Sequence, residues 1–186
     1  MVIERTVVLL PGGMFGPYAP LLFFPMFAAQ RRGAQTKAVD WSDLSRIRTL
    51  DPEAVVDEVI TQVKPVLDGL AREATLVVGK SLGSMAAPLV AARACPAIWL
   101  TPLLHDPRVV EGLHRTPAPF LLVGGTSDPT WHSDLARDLS PHVLEVPDAD
   151  HGLFIPGPLA ASVVNLAVVI EAVEDFIDDV VWPTGN

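Results

Sequence analysis

Residues 74–84 read ATLVVGKSLGS. An apolar run, Thr75–Val78, stops abruptly at Gly79-Lys80-Ser81-Leu82-Gly83, and small and apolar residues then follow at helical spacing through Ala94. A buried strand that runs through G-x-S-x-G into a helix is the nucleophile-elbow pattern. The turn is tight enough to hold its serine in a strained backbone conformation, and side chains larger than glycine on either flank collide with their neighbours. The strain lifts the Ser81 hydroxyl above the sheet edge. The helix that follows aims its free N–H groups at the same place. The Leu82 N–H, next in the chain after the serine, is positioned to hold a developing oxyanion. The bland alternative is a strand-to-helix turn with an N-terminal serine cap; a base and an acid placed correctly downstream decide between the two.

Outward from this stretch, strands alternate with helices. Thr6–Leu10 is a β-branched and leucine run closed by Pro11-Gly12-Gly13, as expected of a parallel strand covered on both faces. Tyr18–Arg32 is read as a helix ending at Gly33, and Ala34–Trp41 as a second strand. Ser42–Leu50 is polar and irregular. Asp51-Pro52-Glu53 then has the marks of a helix start: a capping residue, a proline in the first position and an acid in the first turn. Further strands are expected at Pro96–Thr101, Pro119–Val123 and His142–Val146, with helices at Val109–His114 and Trp131–Leu139. A long final helix runs from Pro158 to Val181, with Val163, Val164, Leu166, Ile170, Val173 and Phe176 on its apolar side. The expectation is one α/β domain over residues 1–186: a three-layer, doubly wound, mostly parallel six-stranded sheet.

In such sheets active groups collect beyond the carboxyl ends of the strands. Gly12–Met14, Ser81, Asp106, Asp128 and His151 each fall just past an expected strand. A serine hydroxyl is a poor nucleophile unless a base takes its proton, and the base needs an acid to orient it. His151, in Asp150-His151-Gly152, is the candidate base. Asp128, after Gly124-Gly125-Thr126-Ser127, is the candidate acid, and Asp106 on the preceding strand end is the alternative.

The order serine, aspartate, histidine and the three motifs around Ser81, Asp128 and His151 resemble the α/β-hydrolase superfamily over nearly the whole chain. The chain looks like a small member without a separate cap domain, similar to compact serine esterases and dienelactone-hydrolase-like proteins. The sequence departs from the fuller pattern in having no antiparallel strands before Thr6, which implies a shortened sheet. Its early loop also reads Pro-Gly-Gly where His-Gly is usual. The resemblance implies a Ser81–His151–Asp128 triad and an oxyanion hole made by Leu82 and either Gly13 or Met14. Phe15, His105 and Lys80 are further candidates for contact with substrate. The implied activity is cleavage of a carboxylic ester, thioester or lactone through an acyl-enzyme. The alternatives are an acyl transferase or cyclase on the same intermediate, or a non-catalytic small-molecule binder.

Composition narrows the partners. The net charge of −9 and the scattered basic residues argue against nucleic acid and anionic membrane surfaces. The longest apolar stretch, residues 14–29, is broken by three prolines, Pro17, Pro20 and Pro25, so it is not a spanning helix. No leader pattern precedes Thr6, and a cytoplasmic location is the default expectation. The single cysteine, Cys95, forms no disulfide within the chain and is read as a buried thiol. No pair of histidines has metal-ligand spacing, and no cofactor is implied. The expected partner is a small ester-like molecule. The sequence does not fix the oligomeric state.

Overall fold

A computed structural model describes residues 4–14 and 16–183. Six strands, all parallel, lie in the order β2-β1-β3-β4-β5-β6. They are β1 (Thr6–Leu10), β2 (Gln35–Ala38), β3 (Thr75–Lys80), β4 (Ala97–Leu100), β5 (Phe120–Gly125) and β6 (His142–Val146). The helices between them are α1 (Pro20–Gln30), α2 (Leu44–Ile47), α3 (Pro52–Asp68), α4 (Ala87–Arg93), α5 (Pro107–Arg115) and α6 (Ser133–Leu139), and α7 (Leu159–Phe176) follows β6.

Every residue of β1, β3, β4 and β5 is buried, which is why these strands read as unbroken apolar runs. Alternate side chains feed two cores. Val8, Val77, Trp99 and Leu122 pack on one face, with Val59 and Val63 of α3 and Leu113 of α5. Leu9, Val78, Ile98 and Val123 pack on the other, with Leu22 and Met26 of α1 and Val173 and Phe176 of α7. The result is the expected three-layer, doubly wound architecture. Arg32, just past α1, pairs with Glu174 and Asp178 and ties the ends of α1 and α7 together.

The chain winds outward from β1 in one direction to β2 and in the other to β3. The carboxyl ends of β1 and β3 therefore flank the point where the winding reverses, the place such sheets reserve for ligands. Gly12–Met14 and Ser81 sit there.

The six-stranded sheet is as expected, with every pairing parallel. The structure differs from the sequence reading in three places. Ser42–Leu50, expected to be irregular, holds the short helix α2, started by the Asp43 carboxylate accepting from the Arg46 N–H at 2.9 Å. The elbow does not pass straight into an α-helix: a 3-10 segment, Ser81–Ala86, precedes α4. In α7, Val163 and Val164 are 59% and 64% exposed, so they leave the core face, which is carried by Ser162, Val169, Val173 and Phe176. The helix is apolar nearly all round at its N-terminal end, and the 3.6-residue period has no polar side there to fix its rotation. The final turn, Ile177–Val181, is π-helical. Among the described residues no helix is long and apolar enough to cross a membrane.

Candidate active site

Ser81 has φ of +49°, a left-handed conformation in a residue that is not glycine. That is the strain the elbow pattern implies. Both elbow glycines are required by close packing. A Cβ on Gly79 would run into the Trp99 ring, and one on Gly83 into the backbone carbonyl of Leu10. Without them β3 could not turn this sharply between β1 and β4.

The Ser81 hydroxyl oxygen lies 2.8 Å from His151 Nε2, and His151 Nδ1 lies 2.7 Å from Asp128 Oδ2. With the proton on Nδ1, that nitrogen donates to the carboxylate and Nε2 is left free to accept from the serine. The Asp128 side chain is wholly buried, whereas that of His151 is 36% exposed. Burial alone would push the Asp128 carboxyl up. Hydrogen bonds from His151 and from the N–H and hydroxyl of Thr130 outweigh it and hold the carboxyl below its usual range.

Local hydrogen bonds fix both loops. Asp128 Oδ1 accepts from the Thr130 N–H and from the Thr130 hydroxyl, each at 2.8 Å, the turn that an aspartate makes with the residue two places on. The Thr130 hydroxyl oxygen also lies 3.3 Å from His151 Nδ1. Asp150 Oδ1 accepts from the N–H groups of Gly152 and Phe154 at 2.7 and 3.0 Å, closing the loop around His151. The Ser127 N–H donates to the Ala149 carbonyl at 3.0 Å and holds the two loops against each other.

The loop after β1 reaches the nucleophile from the other side. A Cβ on Gly12 would lie 3.5 Å from the Ser81 Cβ. Trp41 Nε1 donates to the Pro11 carbonyl at 3.1 Å, and Arg48 donates to the Gly13 carbonyl. Two carbonyls of this loop are thus pinned from outside, which fixes the loop where Gly12 approaches Ser81. The Leu82 N–H lies in the first turn of its helix, where no intrahelical acceptor exists.

The other candidates are spread around this centre. Asp106 is buried, but its Oδ1 accepts from the N–H groups of Arg108 and Val109 at 2.9 and 3.3 Å, capping α5. Met14 is 78% exposed on the loop after β1, and Phe15 lies outside the described residues. His105 is exposed and borders an open depression with Leu104 and His132. Lys80 is buried, with Nζ donating to the Thr101 hydroxyl and to the His151 backbone carbonyl, each at 3.2 Å. Burial pushes its ammonium down, against the opposing pull of Asp128 and Asp150.

Sequence reasoning missed Thr130, Trp41 and Arg48. Thr130 was legible, two residues after an aspartate with a proline between them. Trp41 and Arg48 act on a loop some thirty residues earlier, roughly the span of one strand–helix–strand unit, and nothing in their own surroundings announces the contact.

No protein-family model and no curated protein matches the sequence. Solved structures do. The chain is similar to Est1E from Butyrivibrio proteoclasticus, with a TM-score of 0.71 at 14% identity, over 95% of this chain and 88% of that one. It is similar to the alpha/beta hydrolase domain-containing protein 10 from mouse, with a TM-score of 0.67 at 15% identity, over 94% and 90% of the two chains. It is also similar to a dienelactone hydrolase from Anabaena variabilis, with a TM-score of 0.64 at 18% identity, over 96% and 88%. Identities this low speak for architecture alone, and what they establish, together with the winding reversal between β1 and β3, is that this chain has the α/β-hydrolase fold.

Proposed function

We propose that this chain is a serine hydrolase that cleaves a carboxylic ester, thioester or lactone in a small molecule. The observation that carries the proposal is the unbroken run of hydrogen bonds from the Ser81 hydroxyl through His151 to a buried, ionised Asp128. Est1E, a structural relative that has also been solved with ferulic acid bound, and the dienelactone hydrolase are named for chemistry of the same general kind.

The mechanism has two halves. As the Ser81 oxygen attacks the substrate carbonyl carbon, its proton passes to His151 Nε2. The imidazolium that forms is stabilised by Asp128, which also keeps the ring in the tautomer that leaves Nε2 free at the start. The carbonyl oxygen gains negative charge and is held by the Leu82 N–H and by the N–H of Gly13 or Met14. One preorganised donor of this sort lowers the barrier by ~3 kcal/mol. His151 returns its proton to the leaving oxygen or sulfur, and the acyl group stays on Ser81. A water then gives its proton to Nε2 and attacks the acyl carbon, releasing the acid and restoring the serine. The partial exposure of the His151 ring, 36%, gives water access to this second half, which favours hydrolysis over acyl transfer.

The test is turnover of p-nitrophenyl esters of increasing chain length by the wild type and by Ser81→Ala. The variant loses hydrolysis and keeps its circular dichroism spectrum and melting temperature. Turnover by the variant at the wild-type rate would remove Ser81 from the mechanism.

A further inference from the structure

A cavity of about 290 Å³ lies between the first turn of α1, the loop after His151 and the first two turns of α7. None of Ser81, Asp128 and His151 is among the described residues that line it. Leu21, Leu153 and Leu166 form its apolar walls. Phe154, Leu159 and Val163, which are 54%, 68% and 59% exposed, form its rim. The Ser162 hydroxyl in the wall is already engaged, accepting from the Ile155 N–H at 3.1 Å. Among the described residues Lys80 is the one charged residue of the lining.

That lysine is unusual in its surroundings. It is 9% exposed, and the partners of Nζ among the described residues are two neutral oxygens, those of Thr101 and of the His151 backbone. An ammonium has three donors, so one is left over. A buried cation with no carboxylate in contact is costly unless an anion joins it. A methionine in place of Lys80 would fill the same space without a desolvated charge, so packing does not account for the cation.

We propose that the α1–α7 cavity binds an apolar carboxylate, with Lys80 as its counter-ion and the hydrocarbon chain against α7. At ~30 Å³ for each water-sized group, the volume takes a chain of roughly ten carbons. The triad residues do not line the cavity, although Lys80 and Gly152 are the chain neighbours of Ser81 and His151, and the binding proposed does not depend on the hydrolase reading. The two sites share Lys80, whose ammonium also holds the carbonyl of His151.

The test is isothermal titration of the full chain with decanoate, below its micelle concentration, and with decan-1-ol as the uncharged comparison. The expected result is saturable one-to-one binding of decanoate, at least tenfold tighter than decan-1-ol. Lys80→Met should erase that preference. Val163→Trp, at an exposed rim position, should weaken both ligands tenfold or more. Ser81→Ala should bind decanoate as the wild type does. Absence of saturable decanoate binding, or equal affinity for the two ligands in the wild type, would overturn the proposal. So would an unchanged affinity in Val163→Trp. Loss of binding in Ser81→Ala would place the ligand at the nucleophile and overturn it as well. The wild-type comparison and Val163→Trp decide the matter even if Lys80→Met fails to fold.

Discussion

Thr130→Val removes one hydroxyl and keeps the branching of the side chain. In the wild type that hydroxyl donates to Asp128 Oδ1 at 2.8 Å, on the same oxygen that takes the Thr130 N–H. The Asp128 side chain has no exposed surface, so water is poorly placed to replace the lost donor. A hydrogen bond to a charged group contributes ~1.5–3 kcal/mol, and the variant should be less stable by that amount at neutral pH. The pH dependence follows from the direction in which Asp128 is held. Its carboxyl titrates below its usual range in the folded chain. The stabilisation is therefore fully present above the unfolded carboxyl's range and is lost as pH falls through the folded value. Thr130→Val removes one of the bonds that depress the folded value. The gap between variant and wild type should then be widest near neutrality and narrow in acid. Urea unfolding at a series of pH values reads it directly. If about half of the lost free energy orients Asp128 towards His151, kcat/KM on a p-nitrophenyl ester falls by about 4- to 13-fold as well. A gap that is missing at neutral pH, or that stays constant as the carboxyl protonates, refutes the reasoning.

Two comparisons follow from the same geometry. Asp128→Asn keeps the shape of the acid but no longer favours the Nδ1 proton, and ester turnover should fall by about 10³–10⁴-fold. Asp106→Ala should instead cost ~1 kcal/mol of stability as a lost helix cap and leave turnover within a few-fold; the opposite ranking in a paired assay would move the acid to Asp106. Gly83→Ala drives a Cβ into the Leu10 carbonyl, with the Leu10 Cβ also 2.8 Å away, and should destabilise by ~1–3 kcal/mol or more. Gly69→Ala, with no atom within 4 Å of the new Cβ, should stay within ~0.5 kcal/mol. Equal melting temperatures for these two variants would contradict the packing account of the elbow.

The fold was legible because its central strands are buried on both faces, so that β1, β3, β4 and β5 announce themselves as apolar runs ended by glycine or proline. The convergence of Ser81, Asp128 and His151 followed from one rule, that parallel strands deliver the residues after them to a common edge. The rule specifies an edge and not a geometry. It did not separate Asp128 from Asp106, since both follow a strand. The separation comes from side-chain direction: Asp106 turns back onto the N–H groups of α5, whereas Asp128 is aimed at His151 by Thr130. Lys80, a candidate for contact with substrate on the sequence, is buried in the structure. Its bonds to Thr101 and the His151 carbonyl depend on the neighbouring strand and on a loop seventy residues away, roughly two strand–helix–strand units, and a local pattern carries no trace of them. The exposed valines of α7 were misplaced for a related reason, because an apolar helix end has no polar face to show which side meets solvent.

The claim on which the rest depends is that His151 and Asp128 make the Ser81 hydroxyl nucleophilic. Its most direct measurement is the reaction of the full chain with a fluorophosphonate, followed by intact mass and peptide mapping. The account predicts a single adduct, on Ser81, that forms on the native protein, disappears in Ser81→Ala and forms far more slowly in His151→Ala. No adduct on the folded wild type, or an adduct at Ser81 whose rate is indifferent to the loss of His151, would contradict it.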